Sequence, residues 1–179
     1  MFLQGILVGL LAVVVLTLIM AAIMEKSYSL TSSIVVDRPK NVVFDYVKHL
    51  KNQENYSKWV MTDPNIQLTY TGVDGTVGFK SAWVSNDKNV GVGEQEITKI
   101  SEGNSYDVEI RFEKPFKGVS TAQTTTEAVS DNQTKVTNTF YTTTPFPMNL
   151  MVPMIKKMLQ KDMDGNMATL KKVLVLETV

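Results

Sequence analysis

The sequence contains no cysteine, a single histidine and no net charge, with 18 basic residues balanced by 18 acidic ones among 179. Without cysteine there is no disulfide framework, no thiolate nucleophile and no Cys-ligated zinc or iron–sulfur site. One histidine cannot form the imidazole pair of a common transition-metal site, so no metal or other cofactor is expected. Zero net charge argues against a nucleic-acid partner, because phosphate binding draws on a basic surplus to release counterions. No Ser–His–Asp order or phosphate-binding glycine loop is recognisable either. Asp162, Asp164 and Gly165 faintly suggest a calcium loop, but the downstream glutamate such a loop requires is missing.

Charge is also missing from one whole region. Every charged side chain lies at or after Glu25, and residues 5–24 form an uncharged run of twenty. As a helix rising about 1.5 Å per residue, this run spans roughly 30 Å, the thickness of a bilayer's hydrocarbon core. It has no polar face, as a core helix of that length would. Residues 1–24 are therefore read as a single-pass transmembrane anchor. The rival is a cleavable signal peptide, to which Ala21 and Ala22 offer small residues near the end of the run. Against it, no Lys or Arg precedes the run, and the run is long. Lys26, Arg38 and Lys40 follow the span, which favours the domain on the cytoplasmic side. Gly5 and Gly9 have the spacing of a weak helix-dimerisation face.

Residues 25–33 read as a polar tether, and residues 34–176 as one domain. Residues 33–37 are a short β-type run, after which Asp37 can cap a helix with Pro39 in its first turn. In that helix Val43, Phe44, Val47 and Leu50 make one apolar face. Residues 55–59 form a second short helix or turn carrying Trp59 inward. From about residue 65 the period becomes two. Tyr106, Val108, Ile110 and Phe112 alternate with charged residues in the cleanest strand pattern of the chain. Phe79, Ser81 and Trp83 share a face, and two Thr-rich runs flank a turn at 130–133. About six successive strands in an antiparallel meander are implied. Pro145 and Pro147 then end the strands, and a long amphipathic helix follows over roughly 149–175. Its stripe is Met151, Ile155, Met158, Leu159, Met163, Met167, Leu170 and Leu174. The fold class is α+β, a curved antiparallel sheet around this helix with a cavity between them.

Four segments carry a resemblance. Residues 43–47 (VFDYV), 56–59 (YSKW), 91–97 (GVGEQEI) and 170–174 (LKKVL) resemble the SRPBCC superfamily, the START-like, helix-grip group. That group includes polyketide cyclases, lipid-transfer domains and the birch-pollen allergen. The resemblance covers about residues 30–175. It implies a seven-stranded sheet gripping the C-terminal helix, with a hydrophobic ligand cavity. Two places depart from it: Asn138 stands where close relatives carry Trp, and Gly165-Asn166 where relatives often have a charged residue followed by Gly. Both bear on the volume and polarity of the cavity.

The expected cavity wall combines aromatic and flexible apolar side chains. Phe44, Trp59, Phe79, Trp83, Tyr106 and Phe112 supply the aromatics, and Met158, Met163 and Met167 the adaptable helix surface. Six of the ten methionines fall between 148 and 167, as suits a wall that adapts to varied ligands. Phe140 and Tyr141 are adjacent in a strand, so only one of them can face inward. Gln95 and Asn138 are the polar groups placed to orient a ligand. Glu94 and Glu96 share a strand face and could do acid–base work if buried, but Ile97 alternates with them and is the better candidate to point inward. His49, near the end of the first helix, reads as a dipole-compatible surface residue. The expected partner is a hydrophobic or lipid-like small molecule, with the membrane as second partner. The alternatives are a cyclase-like or aromatase-like enzyme, and an interaction domain like the superfamily members that stimulate a chaperone ATPase.

Overall fold

The computed structural model describes residues 2–176. The chain runs α1 (Phe2–Ile23), β1 (Ser27–Val36), α2 (Lys40–Lys48), a 3-10 turn (Leu50–Asn55) and α3 (Lys58–Met61). Six strands follow: β2 (Gln67–Thr71), β3 (Lys80–Val84), β4 (Val92–Ser101), β5 (Ser105–Lys114), β6 (Gly118–Ser130) and β7 (Gln133–Thr143). A second 3-10 turn (Met148–Met151) leads into α4 (Val152–Leu176). The strands make one seven-stranded sheet in the order β1-β7-β6-β5-β4-β3-β2, with every neighbouring pair antiparallel. This is the helix-grip architecture, with α1 added.

α1 is long and apolar enough to cross a bilayer, and of its residues only Ala21 is buried. Nothing lies within 4 Å of a side chain added at Gly5 or Gly9, so both face open space. Residues 27–33, expected as tether, are instead the first seven residues of β1. Their Ser/Thr-rich alternation pairs with β7 from Ser27↔Thr143 onward. A strand with one solvated face carries polar residues at every second position, and here that resembles a linker. Asp37 does not cap α2: its Oδ1 accepts a hydrogen bond from Gln133 Nε2 at 2.7 Å, and Pro39 occupies the cap position without a side-chain bond.

The sheet curls for identifiable reasons. The β4–β5 pairing shifts register at Val92/Gly93 and at Ile97/Lys99, and such bulges bend and twist a strand. Gly91 sits at φ +68°, where a Cβ would lie 2.0 Å from the Lys114 carbonyl oxygen. At Gly93 the bare backbone leaves room for the Trp83 ring.

The main core lies where α2 and the C-terminal half of α4 meet the concave face, with Val43, Val47, Phe79, Ile97, Val136, Leu170 and Leu174 buried together. A smaller cluster joins Tyr28 and Leu30 of β1 to Val152 and Met163 of α4. The buried phase of α4 is Val152, Met163, Met167, Leu170 and Leu174, with Ile155 and Leu159 part-buried. Met151 and Met158, expected on this stripe, are exposed on the other face. Val152, Met154, Ile155, Met158 and Leu159 spread over a wide arc of the N-terminal half of α4, broken by Lys156 and Lys157, so the sequence does not by itself fix which part of that arc is buried.

Gly93→Ala tests the bend. The new methyl would fall 2.6 Å from both the Arg111 carbonyl oxygen and the Trp83 ring. A loss of about 1–3 kcal/mol is expected in urea unfolding, as for overpacking elsewhere. An unchanged midpoint would show that the bend does not depend on the missing side chain.

Candidate functional site

Three strands, β3, β5 and β7, show the same gradient on their inward face. Along β5, Tyr106 and Val108 are buried, whereas Ile110 and Phe112 are part-exposed. Along β7, Thr134 and Val136 are buried, whereas Asn138 and Phe140 are part-exposed. β3, entered from buried Phe79, passes from buried Ser81 to part-exposed Trp83, whereas on β4 Gln95 is part-exposed between buried Ile97 and buried Gly93. Leu68 on β2 pairs with Trp83 and is likewise part-exposed. The concave face is thus closed at the α2 end; at the other it opens along β3, β5 and β7, while Tyr28 and Leu30 of β1 and Ser120 and Ala122 of β6 stay buried there. At the open end β1, β4 and β6 begin and β3, β5 and β7 finish.

The open half is a basin of aromatic and aliphatic groups. Trp83 and Phe112 meet edge to face, with ring centroids 6.1 Å apart. The Trp83 indole N–H donates to the Val90 carbonyl at 3.3 Å, which fixes the ring. Phe140, Ile155 and Leu159 close the α4 side. Gln95 Nε2 donates to Gln53 Oε1 at 2.7 Å. Deeper in, Asn138 Nδ2 donates to Thr124 Oγ1 at 2.9 Å, and the Tyr106 hydroxyl joins Thr124 to buried Tyr56. Asn138 and Tyr106 therefore belong to one polar line, while Gln95 lies apart with Gln53. Tyr56, Thr124 and Gln53 were not singled out from the sequence: a Tyr, a Thr and a Gln among many gain meaning only when their partners are known.

The other predicted residues are distributed more widely. Phe44 and Phe79 are fully buried in the main core. Met163 lies in the smaller cluster and Met167 in the main core. Trp59 is exposed on α3, and Met158 is more than half exposed on the far side of α4. Phe140 faces inward and Tyr141 is exposed.

Two surface hollows lie elsewhere. One of about 770 Å³ is bordered by Phe44, Tyr46, His49 and Glu102, between α2 and the turn after β4. One of about 510 Å³ lies at the start of β1 and β6, by Glu25, Tyr28 and Ser120. Of the predicted wall, only Phe44 borders either.

Glu94 and Glu96 lie opposite the basin, as their alternation with Ile97 predicts. Arg111 holds both, with Nε donating to Glu94 Oε1 at 2.7 Å and Nη2 to Glu96, and it also pairs with Glu109. Hydrogen bonding from Arg111 keeps the Glu96 carboxyl below its ordinary pKa, the wrong direction for a proton donor at neutral pH. His49 Nδ1 bonds the Asp45 carbonyl at 2.7 Å, within α2. Among the described residues no group of three or more His, Asp or Glu is placed to hold a metal ion.

The buried phenols give a pH signature. Burial pushes the pKa of Tyr56, Tyr70 and Tyr106 upward, and at Tyr70 the Glu54 carboxylate adds to it. The unfolded chain ionises its tyrosines near pH 10 while the fold retains these protons, so stability present below about pH 10 falls as pH rises further. Ultraviolet titration should therefore show the signal of these three phenolates appearing together with unfolding. Tyr106→Phe should move that alkaline midpoint upward; ionisation of all six tyrosines in an intact fold would contradict the burial.

Comparison with solved structures agrees on the fold. TTHA0849, a protein from Thermus thermophilus, superposes with TM-score 0.63 at 13% identity, covering 85% of this chain and 100% of that one. Norcoclaurine synthase from Thalictrum flavum, in complex with dopamine and hydroxybenzaldehyde, gives 0.62 at 12% identity, over 86% and 88% of the two chains. Ara h 8.0201 gives 0.55 at 15% identity, over 83% and 98%. No curated protein matches by sequence. Residues 27–175, from the first residue of β1 almost to the end of α4, match the family described as "Polyketide cyclase / dehydrase and lipid transport", and the chain belongs to that family.

Proposed function

We propose that the protein binds a hydrophobic, lipid-like small molecule in the open basin, and that α1 anchors it in a membrane with the domain on the cytoplasmic side. The observation that carries this reading is the shared gradient on β3, β5 and β7, which leaves large apolar side chains part-exposed on a concave face. Such surface costs free energy in water, and an apolar guest that covers it recovers about 25 cal/mol per Å². The two polar positions, Gln95 and Asn138, suit a ligand with one polar end. The family's association with lipid transport supports the same reading.

Full-length protein in lipid nanodiscs, titrated with the fluorescent fatty acid cis-parinarate, tests it. Trp83 should transfer energy to the bound polyene. Phe112→Ala should weaken binding about tenfold, and Ile110→Glu should abolish it. Equal affinity in all three forms would place the fatty acid elsewhere or nowhere.

A second reading has its own observation, the Tyr56–Tyr106–Thr124–Asn138 line beneath the basin. A cyclase-like enzyme works by holding a reactive chain in shape with a few polar groups to steer it. On this reading a poly-β-ketone chain incubated with the protein cyclises, and Tyr106→Phe slows turnover while parinarate binding persists. An unaltered substrate, with parinarate still bound, leaves the binding function alone.

A further inference from the structure

The open end of the basin is also the end at which α1 joins the domain, and the junction is not a loose one. Asn149, fully buried in the second 3-10 turn, donates from Nδ2 to the Ala21 carbonyl at 2.6 Å and to the Met24 carbonyl at 3.2 Å. Ala21 itself is fully buried, although the rest of α1 is exposed. Residue 21 lies two residues below the end of the helix, about 3 Å of rise. A bilayer crossed by α1 therefore ends close to the level of this turn.

Exposed apolar side chains stand at that level, together with the polar β3–β4 turn of Asn86, Asp87, Lys88 and Asn89. Phe116, at the β5–β6 connection, is 69% exposed, and Phe146 and Met148, after β7, are 46% and 38% exposed. Met154, on the first turn of α4, is 62% exposed, on the same helix face as Met158. Lys114 and Lys117 flank Phe116, an arrangement that suits a lipid headgroup region. Among the described residues outside α1, every exposed Phe, Trp and Met lies on this rim, on the N-terminal half of α4, or on α3, which runs into the rim through residues 62–66. At the opposite end the turns carry Asp74, Glu102, Asn104, Asp131 and Asn132, and the exposed apolar side chains in or beside them are smaller, Val73, Val77 and Val129.

We propose that this rim is a bilayer-seating surface: Phe116, Phe146, Met148 and Met154 enter the headgroup and upper acyl region, so that the mouth of the basin faces the membrane interior. The proposal rests on the anchor reading above and goes beyond it, since an anchor alone leaves the domain free to stand off in water. Large exposed apolar side chains bury roughly 5–10 Å into such an interface, with basic residues beside them at headgroup level. An apolar ligand then passes between bilayer and basin without crossing water.

The absence of cysteine makes the test direct. Single variants Leu11→Cys, Phe116→Cys, Met154→Cys and Asp131→Cys of the full chain are labelled with NBD and reconstituted in phosphatidylcholine vesicles, with and without nitroxide-bearing phosphatidylcholine. Sites 116 and 154 should shift to the blue and lose about half their emission to a nitroxide on the upper acyl chain, as side chains at interfacial depth do. Site 11 should respond to a deep nitroxide, and site 131 to neither. Quenching at 11 with 116 and 154 as silent as 131 overturns the seating surface and leaves the anchor standing. Silence at 11 overturns the anchor and the seating surface together, while parinarate binding by the domain is measured independently.

Discussion

Seven strands at about 4.8 Å spacing make a sheet roughly 30 Å wide, whereas one helix with its side chains is about 10–12 Å across. No single helix can cover that face, and much of the structure follows from this mismatch. α4 lies along β1 at one edge. α2 and the turn after it fill the remaining width at one end, where Phe44, Val47 and Leu50 are driven into the core. Nothing comparable fills the other end, so Trp83, Ile110 and Phe112 remain part-exposed there. The basin is the uncovered remainder of a sheet too wide for its helix, and curling of the sheet at the β4–β5 bulges deepens it.

Polar joints hold α4 at the edge. Lys58 pairs with Asp162, and its backbone N–H donates to Asn166 Oδ1 at 2.8 Å, tying α3 to the middle of the helix. Ser32 donates to Asp164 at 2.6 Å from the β1 side. Asp162 and Asn166 are buried, and such groups are costly unless satisfied, so these bonds specify one position for the helix. The departure at Gly165-Asn166 acquires a role here. Gly165 faces open space and shapes no cavity, while Asn166 secures the start of α3. Asn138, the other departure, donates to Thr124 Oγ1 and so joins the polar line beneath the basin.

Where the sequence was informative, a period could be checked over many residues. The alternation from Tyr106 to Phe112 assigns the inward face of β5, and the neighbouring strands fall into register with it. The charge-free run before Glu25 corresponds to α1. The failures share one cause, patterns compatible with two phases. In residues 151–159 the apolar residues span a wide arc broken by Lys156 and Lys157, so Leu159 inward and Met158 outward could not be assigned without knowing where β1 lies. The Ser/Thr run at 27–33 serves equally as linker or as half-solvated strand, and its partner β7 lies more than a hundred residues away. Asp37 is a cap by local rules, yet Gln133 claims it from across the fold. The polar line from Tyr56 to Asn138 escaped for the same reason, since it joins four elements that are distant in sequence.

The joint at Asn149 decides how these parts act together. The last carbonyls of a helix have no intrahelical donor, and near a membrane water is a poor substitute. The Asn149 amide supplies two of those bonds. Its own carbonyl oxygen is left buried without a partner, a cost of about 1–3 kcal/mol that a flexible linker would not incur. β1 starts at Ser27, and the Glu25–Lys156 ion pair at 2.8 Å ties the intervening segment to α4, so the connection has little slack. A rigid connection transmits direction as well as attachment. If α1 crosses a bilayer as proposed, the sheet, the helix across it and the uncovered basin all take a fixed attitude to that membrane. On the proposed seating, Phe116, Phe146, Met148 and Met154 are the side chains that this attitude would bring against lipid.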